Sequence, residues 1–142
     1  MNIKWDANKY TEDFSFVHQY GNSVIELIDA DKSSSVLDLG CGNGALTKVL
    51  QDKGYCVKGL DASKELLSIA KEKYPEIDFM QGDAADFTLP EPVDVVFSNA
   101  VFHWINKDWQ MNMLKCVHEA LKKGGQFVLS QFDFVLPIKN MK

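Results

Sequence analysis

Residues 36–44 read VLDLGCGNG, an apolar run that carries one acid, Asp38, and then glycines at 40, 42 and 44. Glycines at those positions open backbone angles closed to other residues, and they remove the side chains that would hold a ligand off the main chain. The stretch leads into helical sequence, and the free N–H groups of a helix start favour negative charge. Formally, GCGNGA fits the dinucleotide fingerprint G-x-G-x-x-G/A, with Asp61 about 20 residues on, where an acid would hold a ribose. Asp38 argues against a phosphate at that loop. A carboxylate two residues before the first glycine crowds a pyrophosphate but attracts an ammonium group. A second glycine–acid pair, Gly82–Asp83, follows further along. The ligand these residues suggest has a positive amino group, a ribose and a base edge, and it needs no phosphate.

The elements that would position these residues follow from the hydrophobic pattern. Val24, Ile25, Leu27 and Ile28 make a helical stripe in NSVIELIDA. SSVLDLG reads as a short buried strand. GALTKVLQDKG reads as a helix with Leu46, Val49 and Leu50 on one face and Gly54 as its stop. YCVKGLD is a second strand, and SKELLSIAKEKYPE a second helix with Ser63 as N-cap and Pro75 past its end. IDFMQGD and VDVVFSN are a third and a fourth strand, the latter apolar enough for burial on both faces. NKDWQMNMLKCVHEALKKGG is a helix with Met111, Leu114, Val117 and Leu121 at helical spacing and a glycine stop; QFVLSQF is a fifth strand. Strands alternating with helices imply a Rossmann-like, doubly wound α/β fold. Its sheet is five-stranded and mainly parallel, with helices on both faces and an N-terminal helical extension. Such sheets bind ligands outside the carboxyl ends of their strands. Asp38–Gly44, Asp61, Gly82–Asp83 and Ser98–Asn99 all fall at those ends. Structural alternatives exist for single residues: Asp38 capping a turn, Asp61 capping the helix from Ser63, Asp83 and Asp86 as solvated loop acids.

Taken in order, these motifs resemble the class I S-adenosylmethionine-dependent methyltransferases over residues 36–133. HW in FSNAVFHWI is similar to the branch that includes trans-aconitate and malonyl-carrier-protein methyltransferases. VLDLGCGNG resembles the family's first motif, GLDAS its second, MQGDAADF its third, VDVVFSNAVFHWI its fourth, and LKKGGQFVLS the strand entry that follows. The resemblance implies S-adenosylmethionine as cofactor and S-adenosylhomocysteine as product. It implies Gly40, Cys41 and Gly42 under the methionine half, Gly44 opening the helix, and Asp38 at the amino group. Asp61 would accept the ribose hydroxyls. Ala62 would flank the adenine, Asp83 would accept the adenine amino hydrogens, Ala84 would offer its N–H to a ring nitrogen, and Asn99 would line the methionine end. His103 is the candidate general base, with a packed, hydrogen-bonded histidine as the alternative. Residues 1–35 would form a lid carrying Trp5, Tyr10, Phe14, Phe16 and His18, with Tyr10 touching the cofactor carboxylate; aromatic packing of these residues against the sheet is the alternative. Residues 36–142 would be the cofactor-binding core, shortened at its C-terminus relative to the family.

Charge and composition bound the partners. The chain has 142 residues and a net charge of −5, which gives no general attraction to nucleic acid or to anionic membranes. Its three cysteines have no metal spacing, so no metal is expected, and they suit a reducing cytoplasm better than a disulfide framework. No run approaches membrane-spanning length. Pro137 is expected to end any strand beyond the fifth, leaving the apolar run FVLSQFDFVL at an exposed sheet edge where a homodimer could form. The function expected is methyl transfer to a small molecule, with a carboxylate as one acceptor. A non-catalytic or truncated cofactor-binding module and an NAD-dependent oxidoreductase stand as the alternatives.

Overall fold

The computed structural model describes residues 23–99, 105–130 and 135–139. Its strands are β1 (Ser35–Leu39), β2 (Cys56–Asp61), β3 (Asp78–Gln81), β4 (Val93–Asn99), β5 (Leu121–Ser130) and β6 (Val135–Lys139). Its helices are α1 (Ala45–Asp52), α2 (Lys64–Lys73) and α3 (Lys107–Ala120). The strands form one sheet in the order β3-β2-β1-β4-β5-β6. β1 to β5 pair in parallel, and β6 runs antiparallel to β5. The chain winds outward from β1 to β3, then returns to the other side of β1 with β4. The reversal lies between β1 and β4, which is where a parallel sheet opens a crevice at its carboxyl ends.

Burial on both faces explains why VLDL and VDVVF are so apolar. On one face Leu37, Leu39, Val96 and Phe127 pack with Met113 and Val117 of α3. On the other, Val36, Val95, Phe97 and Val128 pack with Leu50 of α1, Leu67 and Ala70 of α2, and Val24, Ile25 and Ile28. Ser63 caps α2 as expected, its hydroxyl accepting from the Leu66 amide. At the opposite end of the sheet from the glycine loop, the Asp94 carboxylate accepts from both the amide and the hydroxyl of Ser35, which ties β1 to β4. Those bonds hold the Asp94 carboxyl below its ordinary range.

The Gln126 side chain ties residues 27–29 to the sheet. The buried Gln126 of β5 accepts from the Asp29 amide at 2.8 Å and donates to the Leu27 carbonyl at 3.1 Å. Leu27 itself is 37% exposed, so the buried stripe here is Val24, Ile25 and Ile28. The expected lid residues Trp5, Tyr10, Phe14, Phe16 and His18 lie outside the described residues.

Two expectations are corrected. The buried stripe of α3 is Met113, Val117 and Ala120, an i, i+4, i+7 pattern, whereas Met111 is 62% exposed. The helix ends at Ala120 without a glycine stop, and Leu121 already pairs with Val93 as the first residue of β5. The glycines serve an irregularity in that strand, where the register jumps from Leu121 opposite Val93 to Gln126 opposite Val95. Gly124 has φ +82, and a Cβ on Gly125 would meet the carbonyls of Lys122 and Asp94 at 2.9 and 3.0 Å.

The second correction concerns the sheet edge. β5 is not exposed: Gln126 to Ser130 pair with Lys139 to Val135. Pro137 sits inside β6 opposite Val128 rather than ending the sheet. Proline lacks an N–H, so it is tolerated at an edge strand and interrupts further pairing there. The fifth-strand edge is therefore unavailable as the dimer surface expected from sequence.

Close packing near the glycine loop gives a stability prediction. A Cβ on Gly59 of β2 would lie 2.6 Å from Phe79 Cδ1 and 2.8 Å from Cys41 Sγ. Gly59→Ala is expected to destabilise the fold by about 1–3 kcal/mol through overpacking, read as a lower urea midpoint.

Candidate functional site

The glycine loop leaves β1 and turns at once into α1. Gly40, Gly42 and Gly44 all have positive φ, at 80, 57 and 85. A Cβ on Gly44 would in addition approach Phe79 Cζ at 2.9 Å. The amides of this loop point into the protein. Gly40 and Cys41 both donate to the Leu60 carbonyl, at 2.7 and 3.0 Å, and Gly42 donates to Asp61 Oδ2 at 2.8 Å. Gly44 donates to the Cys41 carbonyl and Ala45 to Asn43 Oδ1. A phosphate-binding turn keeps such donors for its ligand. Here five of them are already taken, so the glycines let the loop fold down onto the end of β2.

Two carboxylates lie beneath the loop. Asp38 is 2% exposed and accepts from the Thr47 hydroxyl of α1 at 2.7 Å. Burial, opposed by that hydrogen bond and reinforced by the nearby charge of Asp61, pushes its pKa up to about 7. Asp61 is 6% exposed, and its second oxygen accepts from the Ser63 amide at 2.9 Å. Burial raises its pKa as well, with the amides of Ser63 and Gly42 pulling the other way. Among the described residues, the ion pairs formed by Lys48, Lys53 and Lys122 involve neither acid. Burial beside both carboxylates pushes the Cys41 thiol well up, so it stays protonated and packs as a small apolar group.

The remaining strand ends surround this pair. Gln81 of β3 donates to the Ala62 carbonyl at 3.3 Å, joining the tips of β2 and β3. Asp83 accepts from the Ala85 amide at 2.8 Å in a turn closed by a bridge to Asp86, while Ala84 is buried against the core. Asn99 Oδ1 accepts from the Ser130 hydroxyl at 2.7 Å, joining the tips of β4 and β5. Gly40, Cys41 and Gly42 are thus bonded to Leu60 and Asp61 at the end of β2, with Asp38 buried nearby on Thr47; Ala62, Asp83, Ala84 and Asn99 stand at the neighbouring strand ends. His103 and Tyr10 lie outside the described residues. Among the described residues, no group of three or more His, Cys, Asp and Glu could hold a metal ion.

The strand-end motifs do not include Thr47, Gly59 and Ser130. Thr47 carried a signal, as a polar residue one turn before Leu50 on the inward face of α1. So did Gly59, since an isolated glycine in a strand marks a close approach. Ser130 had none, because its role depends on the register that sets it opposite Asn99.

A family profile described as a methyltransferase domain matches residues 36–125. The chain belongs to the class I S-adenosylmethionine-dependent methyltransferases. Within this methyltransferase family it is 35% identical over 130 residues to an uncharacterized methyltransferase of Schizosaccharomyces pombe, covering 87% of this chain and 50% of that one. It is 28% identical over 133 residues to a trans-aconitate 2-methyltransferase of Rhizobium rhizogenes, covering 92% of this chain and 51% of the relative. A solved S-adenosylmethionine-dependent methyltransferase from Mesorhizobium loti superposes with a TM-score of 0.70 at 27% identity, over 78% of this chain and 52% of that one. The chain therefore spans about half the length of these methyltransferases. The NAD-dependent alternative finds no support in these likenesses, and the inward-turned loop amides count against it.

The buried Asp38 gives a stability prediction with a definite sign. Its folded pKa is raised, so the protonated form is favoured in the native state. That contribution is complete below the ordinary carboxyl range near 3.8 and is lost as pH rises through about 7. Asp38→Asn keeps an acceptor for Thr47 and removes the ionisation. In urea denaturation it should be more stable than the wild type at pH 8, by on the order of 1–4 kcal/mol, and closer to it at pH 5.

Proposed function

We propose that this chain is the cofactor-binding core of a methyltransferase that uses S-adenosylmethionine to methylate a small molecule, with a carboxylate as the favoured acceptor. The observation that carries the reading is the glycine loop folded inward over two buried carboxylates. That arrangement disfavours a phosphate and favours a ligand that brings positive charge. The cofactor, when bound, supplies an activated methyl group on a sulfonium and a zwitterionic amino-acid tail.

The residues of the chain then have distinct tasks. Asp61 uses one acceptor site on each oxygen for the Gly42 and Ser63 amides. A carboxylate offers roughly four such sites, so it retains capacity for the ribose hydroxyls. Asp38 sits below the loop and favours a cationic amino group above Gly40–Gly42. Ala62 flanks the base, Asp83 and Ala84 offer an acceptor and an amide to its edge, and Asn99 borders the methionine end. Methyl transfer requires alignment of acceptor and methyl with water excluded. Tyr10, within the 1–35 segment, is assigned to that cover. A carboxylate acceptor needs no base at neutral pH, whereas a hydroxyl or amine would draw on His103. The likeness to a trans-aconitate 2-methyltransferase supports the carboxylate class. Cysteine usage and acidic net charge support a cytoplasmic protein without affinity for nucleic acid. No helix among the described residues is long and apolar enough to cross a membrane.

Calorimetric titration with S-adenosylhomocysteine, and with NAD in parallel, tests the cofactor. Saturable binding of the first and none of the second is expected, and the reverse would overturn the proposal. Asp61→Ala should weaken S-adenosylhomocysteine by about 1.5–3 kcal/mol, the range for a hydrogen bond to a charged group. Transfer of labelled methyl to a panel of carboxylates, hydroxyls and amines identifies the acceptor. Binding with no transfer to any of them would leave a binding module in place of an enzyme.

A further inference from the structure

The proposed cofactor site contains a feature that cofactor recognition alone does not require. Among the described residues, Asp61 is stabilised as an anion by the backbone amides of Gly42 and Ser63, whereas Asp38 has a single hydroxyl, that of Thr47. Both carboxylates are buried under the same loop, and neither is ion-paired by a lysine, arginine or histidine of the described residues. Two like charges buried together with no counter-ion among the described residues are a poor native state, and the less solvated acid is the one that takes up a proton.

We propose that binding of the cationic cofactor is coupled to ionisation of Asp38, with Thr47 as the positioning residue that sets how readily Asp38 gives up its proton. The inference rests on the cofactor reading above. A positive group over the loop stabilises the Asp38 carboxylate in a site where water does not screen it. The Asp38 O–H bond then breaks and its proton leaves to solvent, so the bound state holds a carboxylate facing a cation. Without ligand Asp38 holds its proton below neutrality and is about half protonated near pH 7, since burial pushes its pKa up to about 7.

Among the described residues, the groups facing Asp38 are few. From α1 comes Thr47, which does not titrate. From the loop comes Cys41, whose thiol is pushed well above its ordinary range and stays protonated. From β2 comes Asp61, whose burial is offset in part by its amide donors. From β4, the residue in register with Asp38 is Phe97. Asp38 is therefore the group expected to change charge around neutrality.

The coupling is read from proton stoichiometry, with no need of turnover. S-adenosylhomocysteine, whose amino group carries the positive charge, is titrated calorimetrically into the whole chain at several pH values, each in two buffers of different ionisation enthalpy. About half a proton should be released per ligand at pH 7, rising towards one at pH 6, with affinity increasing about 10-fold from pH 6 to pH 8. Asp38→Asn should lose both the release and the pH dependence; it also supplies the proton balance of the ligand's own amine. Thr47→Val removes the hydrogen bond that favours the ionised acid, so its affinity profile should shift to higher pH. A purely structural role for Thr47 would instead lower affinity equally at every pH. Thr47→Val also keeps the test open if the Asp38 variant does not fold. Binding with no proton release in the wild type, or with the same release in Asp38→Asn, overturns the coupling and leaves the cofactor reading intact. No binding at any pH overturns both.

Discussion

The arrangement of the site depends on the glycine loop being tied to the end of β2. Three successive amides, from Gly40, Cys41 and Gly42, are donated to Leu60 and Asp61. Only residues tolerant of positive φ can turn the chain so that these amides face β2 rather than solvent, which explains the alternate glycines. Once the loop is folded down, Asp38 is roofed over, Thr47 is brought within hydrogen-bond reach at the start of α1, and Gly59 must lack a side chain so that Cys41 and Phe79 can meet above it. One loop conformation thus fixes the acid, its hydroxyl partner and the packing below.

The same geometry distinguishes two ligand chemistries that a glycine-rich turn between strand and helix can serve. In a phosphate site the turn presents free amides and the helix dipole to an anion. Here the amides are satisfied internally and the buried side chains are acids. The electrostatic demand is inverted: the site lacks positive charge rather than negative. Family membership and this inversion agree, although they come from different observations, one from the order of motifs and one from hydrogen-bond direction.

Much of the fold was legible in the sequence because strands buried on both faces are nearly all apolar, and because Ser63, Gly54 and Pro75 punctuate the helices. What was misread involved choices that only packing makes. Met111 and Met113 lie two residues apart in an amphipathic helix, and the sequence alone did not say which of them faces Val96 and Phe127. Lys122–Gly125 resembled a helix stop, yet the burial of Leu121 against Val93 draws the chain straight into β5. Pro137 looks like a terminator in sequence because the lost amide is local information, whereas its acceptance in β6 depends on that strand lying at the sheet edge. At the site, the acids and glycines were visible as residue types at strand ends. The direction of the loop amides and the pairings Asp38–Thr47 and Asn99–Ser130 were not, since each depends on register or helix placement.

The Gln126 clamp carries a consequence for how the chain is made. Its two bonds reach across 97 and 99 residues of sequence to Asp29 and Leu27, so they cannot form until the last parallel strand has left the ribosome. Contacts of such separation are entropically late, and segments awaiting them stay open to chaperones and proteases. The backbone of Leu27 and Asp29 should therefore stay unclamped during co-translational folding, and an arrest of synthesis before Gln126 would leave this segment held by the earlier-made part of its core alone.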